Sequence, residues 1–252
     1  MAPPIQIIGI NGIPEVKKGD SVAQLIMEAS KDMPLEIYPN DVFVVTQKIV
    51  SKSEGAFVDL RDITPSPFAE EIAAKYDKDS RHVEVVLQES SRIVRMDHGV
   101  IIAETKHGFI CANAGVDASN IGDSEILCLL PKDPDASAKI IRSELMKSLG
   151  INVSVVITDT FGRPWRQGTT DVAIGVAGIS PLKDYRGLVD PYGYPIRVSV
   201  SAVADEIASA AELIAGKIDM VPVVVIRGYE YDPTEEASAR ELIRDSSMDL
   251  FR

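Results

Sequence analysis

The sequence predicts an α+β fold built on a mixed sheet, not a doubly wound parallel one. Three observations carry that expectation. Short β-branched runs recur along the chain, two of them lie so close together that a hairpin must join them, and helical periodicity separates the later ones.

In chain order, Asp20 can cap a helix that places Val22, Leu25, Ile26 and Ala29 on one face. Residues 41–46 (DVFVVT) form the first apolar strand, and helices are expected around 67–76 and 81–89. The runs 100–103 and 109–112 pair as an antiparallel hairpin turning at His107-Gly108. Asp135 can cap a helix carrying Ile140, Ile141, Leu145 and Leu149, closed by Gly150. Residues 153–158 are again a strand. Alanine-rich residues 202–215 form a helix with Ile207, Ala211 and Ile214 on one side, ended by Gly216. The last strand is 221–226, where Pro222 suits only the first position or an edge. No repeat, low-complexity tract or linker divides residues 1–252, so they are read as one unit.

The 252 residues are 45% hydrophobic, enough for a sizeable core in one domain or two modest lobes. No apolar run reaches the roughly 18 residues of a membrane span, and MAPPI at the N-terminus lacks the features of a signal peptide. Cys111 and Cys128 form no CxxC pair. They read as small buried residues of a protein in the reducing cytoplasm. With 26 Lys+Arg against 38 Asp+Glu the net charge is -12, so no basic footprint for nucleic acid is visible. An anionic substrate would need local cations or a metal to overcome that field.

Carboxylates suited to a metal are present. In ITDTFGRPWR a strand runs into Asp159 and Thr160, then a glycine turn with Arg163 and Arg166. A carboxylate just past a buried strand can position a divalent cation, and the arginines can clamp phosphate oxygens. The plainer reading is a strand-end turn in which arginine pairs with aspartate. A second loop, ANAGVDASN at 112–120, also follows a strand and offers Asp117 and Asn120, its small residues letting backbone amides approach a ligand. Two such loops make a shared aspartate pair attractive for magnesium beside phosphates. Lys48 and Lys52, four apart after a strand, would share one side of a helical turn, although a solvated surface is the default for lysines. No Walker motif is present. His82, His98 and His107 do not cluster and read as turn or surface residues. Asp205-Glu206 reads as favouring a helix N-terminus.

Taken together, GIPEVKKGD, VVTQKIVSKSEG, CANAGVDASN, LLPKDPDASA, VVITDTFGRPWRQG, VADEIASAAELIAG, VPVVVIRGYEY and ASARELIRDSSMDLF resemble the coenzyme F420-0:L-glutamate ligase (F420 gamma-glutamyl ligase) family, in order and over nearly the whole chain. The resemblance implies a two-lobed α+β subunit in an intertwined homodimer. It implies a ligase that uses GTP and Mg2+ or Mn2+, as two ions, and leaves K+ open as an accessory. Asp117 and Asp159 would hold one divalent ion and Thr160 would help hold a second. Nucleotide contacts would fall on Ile13, Pro14, Glu15, Val16, Gln47, Lys48, Lys52 and Asn120, and on the 215–222 turn that includes Gly216 and Lys217. A charged lysine does not ligate a metal, so Asp219 is an alternative donor near that turn. On this resemblance GTP phosphorylates the terminal carboxylate of F420-0, the amine of L-glutamate attacks the acyl phosphate, and F420-1 forms, with F420-2 as a further product. Two other readings stay open: a metal- and nucleotide-dependent ligase acting on another carboxylate, and a non-catalytic nucleotide-binding protein.

Overall fold

Val42, Phe43, Val44 and Val45 are all buried, which a strand achieves only when both faces of its sheet are covered. This strand, β2 (Val42–Thr46), is central to a five-stranded sheet in the computed structural model, which describes residues 4–118 and 124–249. Across the sheet the order is β1 (Gln6–Ile10), β12 (Val223–Arg227), β2, β8 (Ser154–Gly162) and β9 (Thr169–Ala177). Only β2 and β8 run parallel; the other neighbours are antiparallel. The sheet is mixed, as the spacing of the apolar runs predicts.

Helices α1 (Val22–Asp32), α5 (Pro134–Leu149) and α6 (Val203–Ala215) pack around this sheet and complete one hydrophobic cluster. A second, separate cluster gathers Leu60, Ile72, Val86, Ile101 and Leu127. It is built by α3 (Pro67–Tyr76), α4 (Ser80–Gln88), the antiparallel sheet β4 (Ser90–Asp97), β5 (Val100–Thr105) and β6 (Ile110–Ala112), and the pair β3 (Phe57–Asp59) and β7 (Ile126–Cys128). Two short strands, β10 (Lys183–Asp184) and β11 (Val200–Ser201), close a projecting hairpin. No helix among the described residues is long and apolar enough to cross a membrane.

All five apolar runs are strands, and Gly108 turns the β5–β6 hairpin with φ 97°. Several local expectations need correction. Ser21, not Asp20, caps α1: its hydroxyl accepts from Gln24 N, while Asp20 accepts from Lys17 N. Asp133, not Asp135, caps α5, because Pro134 takes the first helical position. Asp135 instead accepts from Val176 N, Ala239 N and the Ser238 hydroxyl, tying β9 and the C-terminal segment to the helix. Pro222 lies just outside β12. Its carbonyl accepts from Thr46 N at 2.9 Å. His82 is neither in a turn nor free on the surface. It lies on α4, where burial pulls its pKa below the ordinary value, and its Nε2 has no hydrogen-bond partner.

Candidate active site

β2 and β8 pair in parallel from Val42–Ser154 to Thr46–Thr158, so their carboxyl ends open at the same level. Ligands of open α/β sheets gather at such ends, where the following segments diverge. Here they diverge strongly. After Thr46 the chain enters α2 (Gln47–Glu54) at once, whereas β8 continues to Gly162 with only β9 beside it. The expectation that Asp159 follows its strand is therefore corrected: Asp159 and Thr160 are strand residues, held by pairing with Val172 and Asp171. A bulge between the Ile157 and Thr158 pairs precedes them. A bulge re-aims side chains and increases local twist.

The opening is a cavity of about 1040 Å³. Ile13, Pro14, Glu15 and Val16 line it from the segment after β1. Gln47, Lys48 and Lys52 line it from α2, Asp117 from the segment before β7, and Asp159 and Thr160 from β8. Gly216 and Lys217 enter from the turn after α6. Asp117 and Asp159, from distant parts of the chain, thus face one cavity, and each carboxylate feels the other.

The two lysines depart from the solvated default. Lys52 is 7% exposed and pairs with Glu15, and Lys48 Nζ lies 2.7 Å from Asp117 Oδ2. One turn of α2 points both into the cavity, as their four-residue spacing requires.

Asp117 is fixed by its backbone. Its N–H donates to Cys128 O at 3.0 Å, and Cys128 N–H donates back at 2.8 Å. The turn that delivers it runs Asn113, Ala114, Gly115 with φ of 51°, 51° and 73°. Only glycine fits the last position, since a Cβ there would come within 2.7 Å of the Leu130 side chain. On the other side of the cavity, α6 ends at Gly216 with φ 57° and ψ -159°, a backbone state essentially reserved for glycine. That state redirects the chain so that Lys217 turns back over β8 and β9.

Electrostatically, the cavity lining holds four carboxylates (Glu15, Asp117, Asp159, Asp171) and three lysines (Lys48, Lys52, Lys217). Burial, reinforced by Asp171 and Asp117, pushes the Asp159 carboxyl up to about 7, although Thr160 N–H and Lys48 pull the other way. Burial also opposes the charge on Lys217, but Glu212 and Asp171 outweigh it and leave that pKa raised. Burial drives the nearby thiols out of the reactive range, Cys111 to about 12 and Cys128 to about 11.

Asp171 is the site residue that sequence reasoning missed. It is 6% exposed and stands opposite Thr160, whose hydroxyl donates to its Oδ1 at 2.6 Å; Thr158 Oγ1 lies 3.4 Å from Oδ2. A lone acid inside the β-branched run TTDVAIGVA was the available signal.

Arg163 and Arg166 are not brought to the cavity lining. They sit exposed in the 163–168 loop between β8 and β9, because β8 runs on past Asp159 to Gly162, which at about 3.3 Å per residue carries the start of that loop about 13 Å along the strand. Asn120 lies outside the described residues. Asp205 accepts from Ala173 N at 2.9 Å and serves the fold. Among the described residues no three His, Cys, Asp or Glu side chains form a closed metal-ligand group.

A family model described as F420-0:Gamma-glutamyl ligase matches residues 11–228. The coenzyme F420:L-glutamate ligase of Methanothermobacter thermautotrophicus is 44% identical, covering 98% of this chain and 99% of that protein. Proteins of the same name from Methanopyrus kandleri (43%, covering 94% of each chain) and Methanocaldococcus jannaschii (41%, covering 98% and 97%) align as fully. The segments of the family model span every element that lines the cavity, and on that match the chain belongs to the F420-0:gamma-glutamyl ligase family.

Proposed function

We propose that this cavity binds GTP with a divalent cation and that the enzyme uses them to join L-glutamate to coenzyme F420-0, forming F420-1 and, in a further round, F420-2. Membership of the family makes the chain a ligase that forms carbon–nitrogen bonds. The relatives carry the name coenzyme F420:L-glutamate ligase.

The observation that supports this use of the cavity is the charge imbalance around Asp159. Three aspartates share the lining, and burial, reinforced by Asp171 and Asp117, raises Asp159 to about 7 by disfavouring its negative charge. A divalent cation between Asp117 and Asp159 would relieve it. Mg2+ and Mn2+ take oxygen donors, and Mg2+ commonly rests on one or two carboxylates plus water and substrate phosphates, not in an all-protein cage. A pair of aspartates without a third protein ligand fits that habit. When bound, the ion would neutralise phosphate charge and orient the triphosphate.

The chain's own residues supply the rest. Lys48, in the first turn of α2, presents its ammonium beside the positive end of the helix, where phosphate oxygens are favoured, and Lys52 adds a second ammonium one turn later. The apolar side chains of Ile13, Pro14 and Val16 also line the cavity. In the reaction, an oxygen of the F420-0 carboxylate attacks the γ-phosphorus and GDP leaves, giving an acyl phosphate. The α-amine of glutamate then attacks the acyl carbon, loses a proton, and phosphate departs as the amide forms. Such chemistry depends mainly on positioning and charge neutralisation, which the fixed backbone around Asp117 and Asp159 provides. The two free, buried thiols suit a reducing cytoplasm.

The subunit is proposed to act as a homodimer through the hairpin between β10 and β11. Incubating the protein with F420-0, GTP, Mn2+ and L-glutamate and weighing the product by mass spectrometry tests the function. A product heavier by one or two glutamyl units is expected. Unchanged F420-0 with every component present would discard the assignment.

A further inference from the structure

Lys217 lies in the cavity as a cation already in place. Its Nζ is 2.7 Å from Thr160 Oγ1, 3.2 Å from Asp171 Oδ1 and 2.5 Å from Glu212 Oε1. Those oxygens come from β8, β9 and α6, so three separate elements converge on one ammonium. An ammonium has three donors and no acceptor, and here each donor has an oxygen to meet. The arrangement is built into the backbone. Gly216 turns the chain in a conformation that other residues avoid, and Glu212, one helical turn earlier, also accepts from Asp171 N at 2.9 Å. Glu212 therefore ties Asp171 and Lys217 into one unit.

Thr160 and Asp171 supply oxygens from paired strands to the lining of the cavity, where a hard divalent cation would otherwise find partners. The Lys217 ammonium, met by oxygens of Thr160, Asp171 and Glu212 from three elements, occupies the position such a cation would take, and its tether keeps it there. We propose that Lys217 is a tethered cation that takes the place of a second divalent ion at Thr160 and Asp171. Each subunit then binds one divalent ion, at Asp117 and Asp159, and Lys217 fills the second cation position. This rests on the metal–nucleotide reading of the cavity and deepens it by fixing the number of ions. It also separates the two charges by origin: one depends on metal supply, the other is always present.

Counting bound metal tests it without reference to turnover. The full chain is dialysed to equilibrium against Mn2+ and a non-hydrolysable GTP analogue, and manganese per subunit is measured by atomic emission. One ion is expected in the wild type and in Lys217→Arg, which keeps the charge. Two are expected in Lys217→Gln, which removes the charge and adds an amide oxygen, and in Lys217→Met, which only removes the charge; thermal melting identifies the variants that fold. Two ions in the wild type, or one in a folded Lys217→Gln or Lys217→Met, would overturn the role of Lys217 while leaving the metal site at Asp117 and Asp159 standing. No bound manganese in the wild type would overturn the metal reading itself and this inference with it.

Discussion

Thr160 and Asp171 stand directly opposite each other on β8 and β9, and the Thr160 hydroxyl donates to Asp171 Oδ1 at 2.6 Å. The same carboxylate faces Thr158 and the Lys217 ammonium, so one buried charge orders three side chains of the cavity. Asp171→Asn keeps the shape and removes the charge. Charge-assisted hydrogen bonds are about twice as strong as neutral ones, and loss of one electrostatic group at a phosphoryl-transfer site costs roughly 3 kcal/mol of transition-state stabilisation. The expected result is a folded protein whose kcat for glutamate addition falls about 100-fold. Turnover within a factor of three of the wild type would show that Asp171 only shapes the strand pair.

That residue also marks where sequence reading stops. The buried runs behind β2, β5, β8 and β12 were legible because continuous β-branched residues admit little else, and α5 and α6 because their apolar spacing and the closing glycines Gly150 and Gly216 agree. The three-residue strands β3 and β7 carry no period to detect. β9 resisted for another reason: TTDVAIGVA mixes an acid and a glycine into a strand whose continuity depends on pairing with β8 and whose register shifts at a bulge. Because pairing partners are not written in one segment, the end of β8 was also misplaced, which put Asp159 beyond its strand and Arg163 and Arg166 too near the cavity. The lysine pair showed the converse. Its spacing was readable, but its burial followed from Glu15 and Asp117, residues far away in the chain.

Asp159 gives the metal-free protein a specific pH dependence. An aspartate ordinarily titrates near 3.8, and this one is raised to about 7. Between those values the folded state holds a proton that the unfolded chain has lost, so stability of the metal-free protein falls as pH rises through that window and levels off above it. The full effect is at most about 4 kcal/mol, at about 1.4 kcal/mol per unit. A bound divalent ion must displace that proton, so metal affinity rises with pH up to about 7 and then flattens. Asp159→Asn should therefore melt higher than the metal-free wild type at pH 8, match it near pH 4, and have almost no ligase activity. Equal melting temperatures at pH 8 would contradict the raised carboxyl.

Arg142 predicts an asymmetry between two partners. Its side chain is buried, with Nε donating to Val153 O at 2.8 Å and Nη2 to Asn152 Oδ1 at 2.9 Å, and it pairs with Glu235 at 2.7 Å. Glu235 itself is 78% exposed, so solvent screens the pair and its loss is worth under about 1 kcal/mol. Arg142→Met additionally strands a buried carbonyl, at about 1–3 kcal/mol. Urea unfolding should show Arg142→Met destabilised at least twice as much as Glu235→Ala. Equal losses would mean that the ion pair, not the buried carbonyl, holds α5 to the strand start.

The hairpin between β10 and β11 makes the last prediction. It is ordered by its own backbone: Ile196 N donates to Leu188 O at 2.8 Å, Gly187 N to Ile196 O at 2.9 Å, and Asp190 accepts from Tyr192 N and Tyr194 N. Yet Val189, Tyr192, Tyr194 and Val198 are 63%, 87%, 71% and 86% exposed. A folded hairpin that shows so many large apolar groups is unusual for a monomer, and each of these side chains gains about 1.5–3 kcal/mol when buried. A second copy of the chain is the occupant that the proposed homodimer supplies. Tyr192→Ser combined with Val198→Ser should lower the mass seen by light scattering from that of two chains to that of one and leave far-ultraviolet circular dichroism unchanged. A double variant that stays dimeric would place the subunit contact elsewhere, and a monomeric wild type would remove the dimer altogether.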